Sequence, residues 1–168
     1  FPAPLNQRPL DQGAVFVGES LTKYINGHGD AQGGAIISND LAAMDRIRYE
    51  AQVNVGSVIS PFNAWQIFRG AVTFPLRMVR INASTQKIAE WLEQRQNVTF
   101  VSYPGLASHP GHELAKKQMK PGFGGVISFG IAADDKAVER FCAALKVVTF
   151  AVSLGHDESL IFPQPSYD

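Results

Sequence analysis

The segment "GESLTKYINGHGDAQGGAII", residues 18–37, holds a single lysine, Lys23, followed by a run that is rich in glycine. Short apolar runs lie on either side of this lysine, at residues 14–17 and 34–38, and such runs predict buried strands. The glycines of "NGHGDAQGG" let the backbone approach a ligand closely. Lys23 is therefore predicted to lie where a strand ends and a loop begins, which is a common place for a functional side chain.

The composition describes a globular chain without a preference for a charged partner. The 168 residues are 45% hydrophobic and 18% charged, which is enough apolar material for a sizeable core. Fifteen basic residues balance fifteen acidic ones, so no net field favours nucleic acid or a membrane surface. No apolar run approaches the ~18 residues of a membrane span. The single cysteine, Cys142, excludes an internal disulfide and is interpreted as a small core residue, and a reducing compartment, the cytoplasm, is expected.

Strand-like and helix-like segments alternate along the chain, and this alternation favours an α/β fold. Asn39 or Asp40 is predicted to cap a helix, and Gly70 is predicted to end the next one. A long periodic helix is predicted after Pro75. Its apolar face is predicted to comprise Leu76, Val79, Ala83, Ile88, Trp91 and Leu92.

The second half of the chain has the same alternation. Strands are predicted at "NVTFVSYPG", "GGVISFGI" and "VTFAVSLG". Helices are predicted at "HELAKKQM" and "DDKAVERFCAALKVV". The second helix has Asp134 or Asp135 near its positive N-terminal end. We expect a domain boundary inside the long helix, with a cofactor domain at residues 1–75, an inter-domain helix at 76–97 and an incomplete C-terminal domain at 98–168. Proline-rich sequence at both ends predicts a fragment of a longer subunit.

The hydroxyl residues beside Lys23 indicate one particular chemistry. Pyridoxal phosphate carries its aldehyde and its phosphate arm on adjacent ring carbons, so a lysine joined to the aldehyde has the phosphate near its own backbone. In an extended segment Ser20 and Thr22 point to the same side and can donate to phosphate oxygens. The lysine must be deprotonated to form this bond, which a desolvated pocket favours. Lys23 also has an ordinary interpretation, because most lysines are solvated at the surface.

A second enzyme class also fits the segment. Residues 20–23 match the S-x-x-K motif of serine β-lactamases and penicillin-binding proteins. Residues 84–87 match it as well, inside a predicted helix, and neither S-D-N nor K-T-G accompanies them. The motif is therefore weak support for that class.

A metal site is the third hypothesis. His109, His112 and Glu113 lie within five residues of one another, but the spacing H-x-x-H-E matches no zincin order. A helix start with Ser108 or His109 near its N-cap is the favoured interpretation. His28 is predicted to bond the backbone of its turn. No metal is expected.

The Lys23 segment resembles a family motif. "SLTKYINGHGDAQGGAI" is similar to the S-x-T-K-Y-x-x-G-H-x-D segment of the Cys/Met-metabolism (transsulfuration) family of pyridoxal phosphate enzymes, whose members include cystathionine γ-synthase, cystathionine lyases and methionine γ-lyase. The resemblance covers nearly all of the chain and implies a fold-type-I architecture, with part of the large cofactor domain and most of a smaller C-terminal α/β domain. The other similar blocks are "PLNQRPLDQGA", "SPFNAWQIFRG", "TFPLRM", "YPGLASHPGHELAKKQM", "GFGGVISF" and "AVSLG".

The resemblance also implies roles for individual residues. Lys23 is expected to bind pyridoxal 5'-phosphate covalently and to move protons during the reaction. Ser20 and Thr22 are expected to contact its phosphate, and Ser153 is expected to lie near the α-carboxylate of an amino-acid substrate. Phe1 resembles the last residue of the family's D-x-T-F block, so the aspartate that pairs with the pyridine nitrogen is expected to precede this chain. The fragment alone is therefore expected to be inactive.

The reaction implied is γ-elimination or γ-replacement on a sulfur-containing or homoserine-derived amino acid, carried out by a homotetramer built from dimers. Gln52 and Val53 stand where methionine γ-lyases have Lys-Asp, which argues against methionine as the substrate. Glu19 stands where histidine is common. A β-lyase similar to cystathionine β-lyase and a catalytically silent subunit that keeps only its assembly surfaces stay open as alternatives.

Overall fold

The computed structural model describes residues 2–164 of the chain. Phe1 and residues 165–168 lie outside the described residues. The predicted match of Phe1 to the D-x-T-F block and the last part of the C-terminal proline-rich sequence therefore also lie outside them. Within residues 2–164, no helix has both the length and the apolar character needed to cross a bilayer.

A β-hairpin surrounds the lysine segment. Strand β1 (Val17–Ser20) pairs antiparallel with β2 (Gly34–Ile37), and Ser20 lies opposite Gly34. The first strand therefore begins at Val17, and the prediction of a strand over residues 14–17 is wrong by three residues. The prediction that both strands are buried is also wrong for this chain, because the described hairpin has no third strand beside it and Ile36 is 52% exposed.

Two helices follow the hairpin, and each begins at a capping side chain. Helix α1 (Leu41–Arg48) begins after Asp40, whose carboxylate accepts a hydrogen bond from the backbone N–H three residues later at 2.9 Å. Helix α2 (Pro61–Ala71) begins after Ser60, whose hydroxyl accepts in the same way at 3.1 Å. These are ordinary N-caps, and the prediction for Asp40 is confirmed. Shorter helical turns lie at Pro9–Gln12, Leu21–Ile25 and Tyr49–Asn54.

The long helix α3 (Phe74–Glu93) exists as predicted, but its predicted apolar face is wrong. Of that face only Leu92 is buried, whereas Leu76 is 76% exposed and Trp91 is 55% exposed. Two stripes of α3 have helical spacing, and periodicity alone does not say which one this chain covers. The stripe that it buries comprises Met78, Thr85, Ala89 and Leu92.

The C-terminal part contains a second antiparallel pair with flanking helices. Strand β3 (Val98–Ser102) pairs with β4 (Ser128–Ile131), and α4 (His112–Gln118) lies between them in the chain. Helix α5 (Asp135–Ala144) begins after Asp134, whose carboxylate accepts from a first-turn N–H at 2.7 Å. The predicted acidic residue at the start of α5 is therefore confirmed.

The last predicted strand is much shorter than expected. Strand β5 (Thr149–Phe150) pairs in parallel with β6 (Leu160–Ile161). The prediction of a strand over residues 148–155 is wrong beyond Phe150, because the chain turns there into a loop that carries Ser153 to Lys23.

Tyr103 is the largest fully buried side chain among the described residues. It packs with Ala89 and Leu106, and its ring meets the Phe123 ring edge-on at a centroid distance of 6.3 Å. Its hydroxyl donates to the carbonyl oxygen of Gly124 at 3.1 Å, so the polar end of this side chain is paired.

Alkaline pH is expected to destabilise the fold through Tyr103. Burial raises the pKa of Tyr103 to about 12, whereas a tyrosine in an unfolded chain has a pKa of about 10. The unfolded state therefore loses its proton first. The stability contributed by neutral Tyr103 is complete below pH ~10 and falls by about 1.4 kcal/mol per pH unit as the pH rises toward 12.

Chemical denaturation of the full-length protein at a series of pH values measures this effect. Tyr103→Phe should flatten the dependence of the free energy of unfolding on alkaline pH, because phenylalanine has no proton to lose. The exposed Tyr49 provides the matched control, and Tyr49→Phe should leave the dependence unchanged. Equal alkaline slopes in Tyr103→Phe and the unsubstituted protein would contradict the prediction.

Candidate active site

Lys23 lies in one distorted helical turn between β1 and the glycine-rich loop. This turn, Leu21–Ile25, is called the Lys23 turn below, and it has π-type hydrogen bonding. The N–H of Asn26 donates to the carbonyl of Leu21 at 3.0 Å, and the N–H of Gly27 donates to that of Lys23 at 2.8 Å. Lys23 itself has φ −88° and ψ −124°, outside the helical range. The turn is therefore kinked at the residue that carries the candidate amine.

Arg77 of α3 holds the end of the Lys23 turn. Its Nη1 donates to the carbonyl of Tyr24 at 2.7 Å, and its Nη2 donates to those of Ile25 and Gly70, both at 3.0 Å. Its Nε donates to Thr73 Oγ1 at 3.0 Å. Carbonyls at the end of a helical turn lack partners within it, and the planar guanidinium supplies several donors at once. Burial lowers the pKa of Arg77, although arginine stays charged at neutral pH.

The amino group of Lys23 lies beside a loop that is distant in the sequence. Lys23 Nζ donates to Ser153 Oγ at 3.1 Å, across 130 positions of the chain. The same Ser153 oxygen lies 2.7 Å from His156 Nε2. The three side chains therefore form a chain of hydrogen bonds, Lys23–Ser153–His156, that links the hairpin end to the loop after β5.

Gly155 allows this close approach. It has φ +78°, and a Cβ at this position would lie 2.6 Å from the backbone nitrogen of Tyr24 and 2.8 Å from the carbonyl carbon of Lys23. Both atoms belong to the backbone, so they cannot move aside as a flexible side chain can. The loop that carries Ser153 therefore packs directly on the Lys23 turn only because residue 155 is glycine.

Gly155→Ala is expected to separate Ser153 from Lys23. A displacement of the loop by roughly 1 Å should lower kcat of the full-length protein by about tenfold to a hundredfold, since such displacements at a catalytic constellation have effects of that order. Gly56→Ala is the matched control, because Gly56 has a similar φ of +74° and open space around the added Cβ. An activity loss of the same size in both variants would show that the effect comes from the backbone conformation and not from contact with Lys23.

The two hydroxyl residues before Lys23 are not equivalent. Ser20 ends β1 and is exposed, whereas Thr22 lies in the Lys23 turn, so the prediction of one extended segment through both is wrong. The Thr22 hydroxyl donates to the carbonyl of Gly33 at 3.2 Å and accepts from its N–H at 3.0 Å. Thr22 thus joins the Lys23 turn to the start of β2. Contact of either hydroxyl with a phosphate stays a prediction.

The metal hypothesis has no support in the geometry. Among residues 2–164, no three His, Cys, Asp or Glu side chains come together as a metal ligand set. A ring nitrogen of His109 accepts from the N–H of Gly111, His112 contacts a backbone carbonyl, and Glu113 pairs with the lysine three residues later. Gly111 is the N-cap of α4, so Ser108 and His109 lie near the start of this helix as predicted, but neither of them caps it.

Two ordinary interpretations are confirmed. His28 Nδ1 lies 2.7 Å from the carbonyl oxygen of Asn26, so this histidine bonds the backbone of its turn. Cys142 is 3% exposed, and burial raises the pKa of its thiol. An inert core cysteine is the expected consequence.

The S-x-x-K hypothesis requires a serine that the lysine can deprotonate. Lys23 contacts Ser153, and no hydrogen bond recorded within the described part of the chain joins Lys23 to Ser20. The second match, residues 84–87, lies in the middle of α3. Neither match forms the pair of side chains that this chemistry needs.

Three residues of the site were not predicted to act there. Arg77 occurs in the block "TFPLRM", but nothing in its sequence neighbourhood indicates that its partners are carbonyls 51 to 53 positions away. Gly155 and His156 directly follow the "AVSL" sequence of Ser153. The one sequence signal for these residues is that Gly155 lies two residues after Ser153, since glycine permits close approach of another part of the backbone.

The residues present fit pyridoxal phosphate. The ion pairs recorded among residues 2–164 do not include Lys23, and its amine is held by a neutral hydroxyl instead. An amine held in this way can react with an aldehyde without first breaking an ion pair. The exposed Ser20 hydroxyl, three residues away, is available to an anionic group. The fold and the site thus define part of an α/β protein with a lysine at the end of a β-hairpin whose amine contacts a serine hydroxyl.

Comparison with known proteins identifies the family. The family described as Cys/Met metabolism PLP-dependent enzyme matches residues 1–166, and the chain belongs to it. A canavanine gamma-lyase of Pseudomonas canavaninivorans is 50% identical over 96% of this chain and 40% of its own length. A cystathionine beta-lyase of Lactococcus lactis subsp. cremoris is 45% identical over 96% of this chain and 42% of its own length.

A solved structure gives the same result for the fold. The crystal structure of cystathionine gamma synthase from Xanthomonas oryzae pv. oryzae, in complex with aminoacrylate and cysteine, superposes with a TM-score of 0.92 at 42% identity. The match covers 96% of this chain and 41% of that one. The predictions of the family, the fold-type-I architecture and the pyridoxal phosphate cofactor are therefore confirmed. The chain spans between 40% and 42% of the length of these relatives.

Proposed function

We propose that the full-length protein is a pyridoxal phosphate-dependent enzyme of γ-elimination or γ-replacement that acts on a sulfur-containing or homoserine-derived amino acid. The observation that carries this proposal is the contact between Lys23 and Ser153, because it places the predicted cofactor lysine beside the predicted substrate-binding hydroxyl. Two of the relatives reported above support the type of reaction, since one is a canavanine gamma-lyase and the other a cystathionine gamma synthase.

The side chains divide the work in this proposal. The bound cofactor withdraws electrons from the substrate, which makes the proton on the α-carbon acidic. Lys23 is the residue that holds the cofactor, and its amine then receives and returns protons as a general acid and base. Ser153 hydrogen-bonds this amine, and in this proposal it also binds the α-carboxylate of the substrate. Ser20 contacts the phosphate, Thr22 does so when its hydroxyl proton turns away from the Gly33 carbonyl, and Arg77 keeps the Lys23 turn in place.

Canavanine is the first substrate to test. A canavanine gamma-lyase is 50% identical to this chain, and canavanine carries oxygen at its γ-position, in agreement with a homoserine-like skeleton. A panel of canavanine, cystathionine, methionine and O-acylhomoserines, assayed with and without cysteine as a nucleophile and scored for both loss of the amino acid and release of keto acid by the full-length protein, tests the proposal. Turnover of canavanine or an O-acylhomoserine is the expected result. A protein that turns over none of these compounds with its cofactor bound would contradict it.

A β-lyase is the second candidate, and the cystathionine beta-lyase that is 45% identical favours it. The two reactions break different bonds of cystathionine. With one water consumed in each case, elimination at the β-carbon yields homocysteine, pyruvate and ammonia, whereas elimination at the γ-carbon yields cysteine, 2-oxobutyrate and ammonia. Identification of the keto acid by chromatography therefore separates the two candidates, and pyruvate as the main product would favour the second.

The domain division remains part of the proposal, with residues 1–75 in the cofactor domain, 76–97 as the connecting helix and 98–168 in the C-terminal domain. Two separate core clusters support it. Tyr24 packs with Met78 in one cluster, and Tyr103 packs with Ala89 in the other. Since α3 contributes Met78 to the first and Ala89 to the second, a boundary within this helix agrees with the packing.

We also propose that the full-length protein is a cytoplasmic homotetramer built from dimers, as the family resemblance implies. The neutral net charge permits association. Large apolar side chains exposed on α2 and α3, including Phe62, Phe68 and Leu76, support contact with further protein. Light scattering coupled to size-exclusion chromatography measures the mass of the assembly, and a monomer at micromolar concentration would contradict the tetramer.

A further inference from the structure

His156 is the outermost member of the Lys23–Ser153–His156 chain. Its Nε2 lies 2.7 Å from Ser153 Oγ, which is shorter than the 3.1 Å between that oxygen and Lys23 Nζ. Nothing in the sequence assigned a role to this histidine. Its contact is nevertheless with the one hydroxyl that the proposed function places between the lysine and the substrate.

The imidazole ring of His156 is held against the backbone of the glycine-rich loop. A Cβ added at Gly29, which has φ +69°, would lie 2.8 Å from His156 Nδ1 and 2.9 Å from its Cε1. The ring therefore occupies the space that a side chain at position 29 would fill. Packing on this turn limits the directions in which Nε2 can point, and Ser153 is the partner that it meets.

The hydrogen-bonding capacity of a hydroxyl restricts what His156 can do. A serine hydroxyl has one proton and two acceptor lone pairs. A charged Lys23 Nζ can donate hydrogen bonds but cannot accept them, and it uses one lone pair of Ser153 Oγ. If His156 donates its Nε2–H, it uses the second lone pair, and the proton of Ser153 stays available for a third group. If His156 accepts instead, it consumes that proton.

We propose that His156 is a positioning residue that donates its Nε2–H to Ser153 and thereby directs the Ser153 proton toward the α-carboxylate of the substrate. The inference rests on the proposed function, because it concerns the same amino-acid site. It adds a residue that determines how strongly this site prefers an amine with a carboxylate over an amine without one.

Two small amines test this preference directly. Glycine and methylamine both react through nitrogen, and only glycine carries a carboxylate. Titration of the full-length, cofactor-loaded protein with each amine, followed by the absorbance of the cofactor, gives two dissociation constants without any turnover. Their ratio isolates the contribution of the carboxylate.

The expected results follow from the donor at position 156. His156→Phe keeps a ring on Gly29 but has no donor, so the preference for glycine over methylamine should fall about fivefold to tenfold, the usual range for loss of one hydrogen bond. His156→Gln retains an N–H donor and should stay within about twofold of the unsubstituted protein. In a Ser153→Ala background His156→Phe should change the ratio by less than about twofold, because the residue through which His156 acts is gone.

The inference is overturned if His156→Phe leaves the ratio unchanged, or if it changes the ratio equally with and without Ser153. Circular dichroism checks the fold of each variant, and His156→Leu replaces His156→Phe if the latter does not fold. An unsubstituted protein that loads the cofactor and responds to glycine, but whose variants do not differ, refutes the inference alone. An unsubstituted protein that shows no cofactor absorbance or no response to glycine refutes the proposed function together with it.

Discussion

Lys23→Ala is expected to remove the visible absorbance of the bound cofactor and to lower kcat of the full-length protein by about a thousandfold or more. In the proposed function Lys23 both holds the cofactor and acts as the base that moves protons, and a single acid–base group already contributes about a hundredfold to ten-thousandfold. Among the hydrogen bonds of residues 2–164, none brings a second lysine amine to Ser153. Absorbance spectra and keto-acid release measure the two effects.

Lys87→Ala is the matched control for this substitution. Lys87 is exposed on α3 and ends the second S-x-x-K sequence, so its loss should change neither the spectrum nor kcat. If Lys23→Ala kept the spectrum and activity of the unsubstituted protein, the assignment of the lysine would be wrong. An unsubstituted protein without visible absorbance after incubation with the cofactor would favour the alternative of a silent assembly subunit.

Arg77→Ala is expected to lower both the stability of the protein and the activity of Lys23. The substitution leaves the carbonyls of Tyr24 and Ile25 without the guanidinium donor, whereas the carbonyl of Gly70 keeps its hydrogen bonds from Thr73. Hydrogen bonds from charged groups contribute about 1.5–3 kcal/mol each and are not additive when they share one side chain, so we expect a loss of about 3 kcal/mol in the free energy of unfolding. The Lys23 turn should then move, and kcat should fall by at least about tenfold.

Arg80→Ala controls for the loss of a positive charge from α3, because Arg80 is exposed on the same helix. It should change the free energy of unfolding by less than about 0.5 kcal/mol. Arg77→Lys keeps the charge but loses the planar set of donors, and we expect an intermediate result. Urea denaturation measures the stabilities, and equal losses for Arg77→Ala and Arg80→Ala would contradict the role assigned to Arg77.

Much of the fold could be predicted because its signals are local. Asp40 and Asp134 cap helices where short acidic side chains precede a helical pattern, and β3 and α4 follow from periodicity and composition. Lys23 could be singled out for the same reason, since its hydroxyl neighbours and the glycine-rich loop lie within the same short segment.

The remaining features depend on contacts between distant parts of the chain. The buried face of α3 is set by which neighbours cover it, so its equally periodic outer stripe could not be excluded from sequence. The strand predicted through Ser153 stops early because the loop packs on the Lys23 turn, and that packing depends on the absence of a Cβ at Gly155. Arg77 and His156 act on groups far away in sequence, and their residue types alone do not indicate such partners.

The contact between Lys23 and Ser153 also explains why the site needs both halves of the chain. The lysine comes from the hairpin, and the serine comes from the loop after β5. Gly155 sets the distance between them, and Arg77 ties the lysine side to α3. A change in any one of these elements is therefore expected to act first on the position of the Lys23 amine.

Borohydride reduction of the cofactor-loaded, full-length protein, followed by peptide mass mapping, tests the central claim most directly. Reduction fixes the cofactor to the lysine that holds it, so the modified peptide identifies that lysine. We predict that the added mass lies on Lys23 and that the Lys23→Ala protein carries no label. A label on another lysine, or an unlabelled Lys23 in a protein that has bound the cofactor, would contradict the account.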